Sequence, residues 1–378
     1  EERYIKFTGD TSRLQRVLPV LNKYYDWLNN NVASKGTKGA LYNTDFGSGM
    51  DNSPREHFIK KGAWIDLTAQ QALSAKSMIY LAVSANNKRL EDKFIAEHER
   101  LNHLINTQLW HDELGIYLDK DENGKFHRRL TIASFWPMLA GVTDSKKAAR
   151  LINEHLKNPD EFFTAHLFPT LSKSDEVYDP YGHYWRGGVW APTNFATIKG
   201  IAKFDPQFAF ESAKNHIENM AKVYDDFVPQ QFDRKMPTIH EKNIQRNGNG
   251  VKQIWETYSP EYIAPATRWD AKLLVRQNFC GWSGIGPIAL LIENVLGIEV
   301  RGDLNIIRWN PRLDENQGID NLKLGHNKVD LRLNKKGEYW QLKINATSNF
   351  TLEIKLPTGT KQLFAIKPGS INIMLNKD

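Results

Sequence analysis

Cysteine is almost missing from this sequence: Cys280 is the only one in 378 residues, so no disulfide can form within the chain and a disulfide-held scaffold is excluded. Long apolar runs are missing too. The longest, residues 285–296, is interrupted by Glu293 and Asn294 and falls short of the roughly 18 residues a bilayer span needs, so no membrane partner is expected. Blocks of like charge are also absent. The 50 basic and 44 acidic residues are interspersed and leave a net charge of +6, without the basic stripe that nucleic acid binding requires. The 11 His are scattered, with neither an H-E-x-x-H nor an EF-hand pattern, and no G-x-S-x-G occurs, so neither metal, cofactor nor serine-nucleophile chemistry is expected. The opening EERYIKFTGD has no apolar signal-peptide core, as a secreted protein already trimmed would also show. The sequence does not fix the compartment; a periplasmic or secreted place is favoured over the cytoplasm.

Aromatic residues, by contrast, are plentiful: 11 Trp, 13 Tyr and 18 Phe, in a chain that is 40% hydrophobic and 25% charged. That is the balance of a soluble globular protein large enough to bury an enzyme-sized pocket. Apolar residues recur at helical spacing over residues 11–32, 66–84, 88–110, 133–139, 145–157, 192–203, 206–226 and 283–296, with a short hairpin expected around Gly115–Gly124. Near Gly302 the period changes from helical to alternating. Residues 306–309, 329–333, 339–344, 350–354 and 371–375 read as strands of a small β-sandwich-like module, which predicts a helical domain over 1–298 and a β domain over 299–378. Long loops at 33–63, 158–191 and 227–282 are where function is expected, because structureless loops of that length inside compact domains are usually functional or disordered.

Each loop holds one candidate. In the first, Asp51 lies between Gly49 and the Ser53-Pro54 turn, which either aims a lone carboxylate into a pocket or closes an Asx turn onto Ser53. In the second, Trp185, Arg186 and Trp190 stand among paired glycines. Aromatic faces suit sugar C–H groups and a guanidinium suits hydroxyls, but by composition alone Trp190 fits better in an aromatic cluster that pins the loop to the core. In the third, Glu256 sits between Trp255 and Tyr258, either a partly desolvated carboxylate tuned for proton transfer or a surface or helix-capping Glu.

Taken in order, GMDNSPR, DLTAQ, YGHYWRGGVWAPTN, WETYSPE and GWSGIGPIALLIENVLGI closely resemble the signatures of glycoside hydrolase family 63. That family holds processing α-glucosidase I, bacterial α-glucosidases and mannosylglycerate hydrolases, and it shares its barrel with trehalases. The resemblance runs from about Ser12 to Ile298. It implies a mainly α fold, an (α/α)6 toroid of the six-hairpin glycosidase type, and an inverting hydrolase of an α-linked glucoside or related α-glycoside.

The resemblance further implies Asp51 as general acid and Glu256 as general base. It places Trp185, Arg186 and Trp282 against the sugar, with Trp190, Asn52, Arg55, Trp64, Trp136, Tyr181 and Tyr258 as further lining. The partner expected is an oligosaccharide or small glycoside. Only one helix is read before Asp51, fewer than the toroid needs. The chain is therefore expected to lack the first four helices or to have them supplied by an N-terminal companion fragment or chain. Two rival readings share these features: a phosphorylase or lyase on the same toroid, and a non-catalytic carbohydrate-binding protein.

Overall fold

Apolar periodicity becomes helix through most of the chain and alternation becomes sheet near its end. The computed structural model describes residues 1–34, 39–41, 48–55, 59, 61–228, 251–356 and 361–376. Two compact units are present, one formed by Glu1–Pro19, Tyr80–Lys88 and Ala289–Asp378, the other by Val20–Ile79 and Arg89–Ile288.

The first unit is rich in strands. Strands β3 (Ile298–Arg301), β4 (Ile306–Trp309), β8 (Phe350–Lys355) and β9 (Lys361–Ile366) form one sheet in the order β3-β4-β8-β9, with β4 and β8 parallel. Strands β5 (Gln317–Leu324), β6 (Asn327–Lys336), β7 (Tyr339–Ala346) and β10 (Gly369–Asn376) form a second, in the order β10-β7-β6-β5. Alternate residues of both sheets, among them Ile307, Trp309, Leu352, Leu331, Leu342 and Ile344, share one buried apolar core. Full burial of each such Leu or Ile is worth about 1.5–3 kcal/mol.

Helix α1 (Glu2–Thr8) belongs to this unit and lies outside the expected elements. It ends at Gly9, whose φ of 72° is left-handed, and its last carbonyls accept from the sheet loops: Gly302 N–H reaches Lys6 O at 2.6 Å and Gly325 N–H reaches Phe7 O at 3.1 Å. A Cβ on Gly9 would meet the Gly302 carbonyl oxygen at 2.9 Å. Strand β5 also escapes the alternation rule. Asn321 adopts φ 58°, and the pairing with β6 shifts register between Ile319 and Leu322, so its apolar residues do not keep period two.

Helices dominate the rest: α2 (Leu14–Asn31), α3 (Ile65–Ser84), α4 (Lys88–Leu104), α5 (Trp136–Ala140), α6 (Ser145–Arg150), α7 (Ala191–Ile201), α8 (Pro206–Asp226) and α9 (Cys280–Leu290). Asp144 and Asp205 cap α6 and α8, each accepting from the backbone of the first turn. Three helices continue into π-helical turns, Ile105–Leu109, Leu151–Leu156 and Leu291–Val295, where the expected helices run on. The expected hairpin is the pair β1 (Trp110–His111) and β2 (Ile116–Tyr117).

Candidate active site

The loop 178–190 is folded on itself by its own backbone. Asp179 N–H donates to Arg186 O at 2.9 Å, and Gly188 N–H is shared between Gly182 O at 2.8 Å and Tyr184 O at 3.0 Å. Gly188 has to be glycine, since a Cβ there would lie 2.3 Å from the Tyr184 carbonyl oxygen. At the turn's centre His183 and Tyr184 take φ 35° and 62°, a left-handed pair of non-glycine residues of the kind that persists only where its surroundings fix it. Tyr184 N–H donates to Thr267 O at 2.9 Å, and the His183 ring bonds the Trp269 carbonyl at 2.9 Å.

The Glu256 segment pairs with the end of that loop through reciprocal Val189 and Tyr258 backbone bonds of 2.8 and 3.1 Å. Glu256 itself is 4% exposed. Its Oε1 accepts from the Tyr184 hydroxyl at 2.9 Å and its Oε2 from the Arg276 N–H at 3.3 Å. Behind it, the Ser283 hydroxyl donates to the Glu256 carbonyl at 2.8 Å, which anchors the helix turn carrying Trp282 to the carboxylate's own backbone.

Asp51 arrives from the first loop, of which residues 42–47 lie outside the described residues. Its turn is closed by Ser53 N–H on Met50 O at 2.9 Å, not by the Asp51 carboxyl, so the Asx alternative is not the one adopted. Asn52 donates to His183 O at 2.9 Å, accepts from Trp185 N–H at 2.9 Å and receives the Arg186 Nε on its carbonyl at 3.2 Å. The residue beside Asp51 therefore holds both backbone flanks of Tyr184, and Tyr184 holds Glu256. Partial burial pushes the Asp51 carboxyl above its ordinary value although the residue is exposed overall. The Tyr184 phenol is pushed up by burial, then by Glu256 and further by Asp51, so both carboxylates bear on one hydroxyl.

Trp185 and Trp190 stack at 4.1 Å with their planes 5° apart, and Trp282 stands 5.4 Å from Trp190 and 6.3 Å from Trp185. The two stacked rings are buried, whereas Trp282 is 46% exposed. Several residues expected to line the pocket do other work. Arg55 is fully buried between Asp66 at 2.5 Å and Asp119 at 3.4 Å, 4.5 Å over the Trp64 ring, which is itself buried. Burial raises Asp119 to about 6 against the opposing pull of Arg55. Tyr258 is buried, its hydroxyl accepting from Trp255 N–H at 3.2 Å. Arg55, Trp64 and Tyr258 are thus buried, like Trp185 and Trp190, and their contacts brace the loops.

The half-buried Tyr181 stacks on Tyr262 at 4.6 Å, and Trp136 opens α5 with its indole N–H buried and without an acceptor among the described residues. Tyr184 was not among the expected site residues. Its signal was its place inside the HYWR run, but its partner lies 72 residues away. Among the described residues no cluster of three or more His, Cys, Asp or Glu side chains is placed to hold a metal ion, and no helix is long and apolar enough to cross a membrane.

An uncharacterised protein of Borreliella burgdorferi is 27% identical over 379 aligned residues, covering 98% of this chain and 73% of its own. The mannosyl-oligosaccharide glucosidase of Saccharomyces cerevisiae is 20% identical over 73% of this chain, which spans only 30% of that enzyme. In fold, the chain is similar to the family 63 mannosylglycerate hydrolase of Thermus thermophilus solved with glucose, with a TM-score of 0.51 and 18% identity over 77% of this chain and 72% of that one. The family model for the mannosylglycerate hydrolase MGH1-like glycoside hydrolase domain matches residues 2–262, more than half of the sequence, and the chain therefore belongs to that family of glycoside hydrolases, of the family 63 type.

Proposed function

We propose that this chain carries the catalytic site of an inverting glycoside hydrolase acting on an α-linked glucoside or related α-glycoside, with Asp51 as general acid and Glu256 as general base. The observation that carries the reading is the hydrogen-bonded run from Asn52 through His183, Tyr184 and Trp185 to Glu256, which ties the two candidate carboxylates to one loop. The helical part is read as belonging to an (α/α)6 toroid, supported by its likeness to the Thermus hydrolase. Glucose or mannose is the sugar class, supported by the names of the yeast and Thermus relatives, and the α-linkage is taken from the family resemblance.

In this reading Asp51 gives its proton to the leaving oxygen as the glycosidic bond breaks. Glu256 takes a proton from the water whose oxygen bonds the anomeric carbon from the opposite face, which calls for roughly 6.5–9.5 Å between the carboxyls. The raised Asp51 carboxyl suits the donor role. Glu256, with a donor on each oxygen, is held as an acceptor. Trp282 supplies the apolar face for sugar C–H groups, over the Trp185–Trp190 stack.

The test is a panel of α-linked gluco- and manno-disaccharides with the wild type, Asp51→Asn and Glu256→Gln. Each substitution removes a different proton transfer and is expected to cost about 10²–10⁴-fold while sugar binding persists. Substrate turnover unaffected by either change would reject the assignment. A wild type that binds sugars without cleaving any would make the chain a carbohydrate-binding protein.

A further inference from the structure

We propose that Tyr184 is a positioning residue for the reaction: it fixes the Glu256 carboxylate through Oε1 in the orientation that takes a proton from water, and it ties that orientation to the loop carrying Asp51. The inference rests on Glu256 being the base. Of the two donors on the carboxylate, Arg276 contributes a backbone N–H at 3.3 Å that any residue there would supply. The Tyr184 hydroxyl, at 2.9 Å, is the side-chain donor, and its direction is set by elements outside the Glu256 segment.

The ring of Tyr184 packs edge-on to Trp190 at 4.8 Å and Trp185 at 6.2 Å. Its backbone is committed at both ends, N–H to Thr267 O at 2.9 Å and carbonyl to Gly188 N–H at 3.0 Å and Trp190 Nε1 at 3.2 Å. The left-handed φ of 62° adds to this, because such a conformation in a Tyr is held only by its surroundings. Asn52 grips the residues on either side of it. A hydroxyl so placed cannot follow the carboxylate if Glu256 rotates; the carboxylate has to come to it. Burial keeps the phenol protonated, so the donor is present throughout any working pH range.

Base and acid duties separate on glycosyl fluorides, whose fluoride leaves with its bonding electron pair and needs no proton, while water still has to surrender one to the base. The probes are α-D-glucosyl fluoride and α-D-mannosyl fluoride beside the matching disaccharides. Tyr184→Phe keeps the ring that packs on Trp190 and deletes the donor. It is expected to lower kcat about tenfold to a hundredfold with KM within about threefold, by the same factor on fluoride and disaccharide. Because a bond donated to a carboxylate favours its charged form, the acid limb of its pH–rate profile should also move to higher pH.

Should Tyr184→Phe fold poorly, a ring-fluorinated tyrosine at position 184, a more acidic donor, should move that limb to lower pH, a shift no packing role would produce. A Tyr184→Phe variant with wild-type kcat and an unmoved acid limb overturns the proposal. So does a loss that disappears on the fluorides, which would make Tyr184 an aid to the acid. Asp51→Asn should regain activity on the fluorides. If it stays inactive there while Tyr184→Phe behaves as described, the acid assignment fails and the positioning role stands. Fluorides untouched by the wild type would sink both.

Discussion

Asn52 and Trp185 are joined by a 2.9 Å bond from the Trp185 amide to the Asn52 side-chain oxygen, and the same side chain's NH2 group reaches His183 O at 2.9 Å. The amide accepts from one peptide through its oxygen and donates to the other through its NH2 group at the same time. Asn52→Asp keeps the acceptor and sets a carboxylate against the His183 carbonyl, whereas Asn52→Ala deletes both bonds. We expect Asn52→Ala to cost about 1–3 kcal/mol in urea unfolding, from two buried-loop hydrogen bonds, and kcat to fall by more than KM changes. Asn52→Asp should be at least as slow. Wild-type kcat in both would show that the loop keeps its place without the clamp.

Arg55 stands between two carboxylates with no route to water. Its charge is held by Asp66 and Asp119 although burial opposes it, and burial raises Asp119 to about 6 although Arg55 lowers it. Arg55→Met should cost about 3–5 kcal/mol at neutral pH, since it leaves two buried carboxylates without a counter-ion. The sign with pH follows from the raised Asp119. A carboxyl whose folded value lies above its unfolded one favours the fold at low pH and loses that contribution as pH rises through the folded value. Removing the cation that lowers it lifts the folded value further. The deficit should therefore be smallest near pH 4 and grow through pH 6 and above, as urea midpoints across that range would show. A deficit independent of pH would contradict the account.

Asp51 carries the same sign with only partial burial. Its carboxyl is pushed up by desolvation alone, so its ionised form costs the folded state something above that raised value and nothing below the ordinary one. Asp51→Asn should be as stable as the wild type or slightly more so at pH 7, with the difference vanishing on acidification, while catalysis is lost. Groups strained for function commonly behave in this way. Melting curves at pH 4 and 7 check it; a variant less stable at pH 7 than the wild type would mean that Asp51 supports the fold.

The sequence made the helical body and the strands after Gly302 legible because apolar period is a direct record of which face is buried. It failed where the backbone departs from regularity, as at Asn321 in β5, and at α1, whose seven residues bury only Ile5 and so leave no helical period to read. At the site, motif order singled out Asp51, Glu256 and several tryptophans as candidates, of which Trp64, Trp185 and Trp190 are buried and Trp282 is exposed. What motif order could not separate is a residue that touches a ligand from one that braces it. Arg55 sits four residues from the acid in sequence, yet its guanidinium is taken up by Asp66 and by Asp119, 64 residues further on, and lies over the buried Trp64 ring. Tyr184 stood unremarked between two singled-out neighbours, because its importance lies in a bond to Glu256 that no local pattern encodes.

The measurement that bears most directly on the central claim is proton NMR of a fresh hydrolysate, read before the released sugar mutarotates. If Asp51 protonates the leaving oxygen and Glu256 activates water, with no bond from the enzyme to the sugar, the first product from an α-linked substrate is the β-anomer. Azide added to Glu256→Ala should likewise yield no azide product with retained configuration. An α-anomer as the first product would mean a covalent glycosyl-enzyme and would contradict the roles of Asp51 as acid and Glu256 as base.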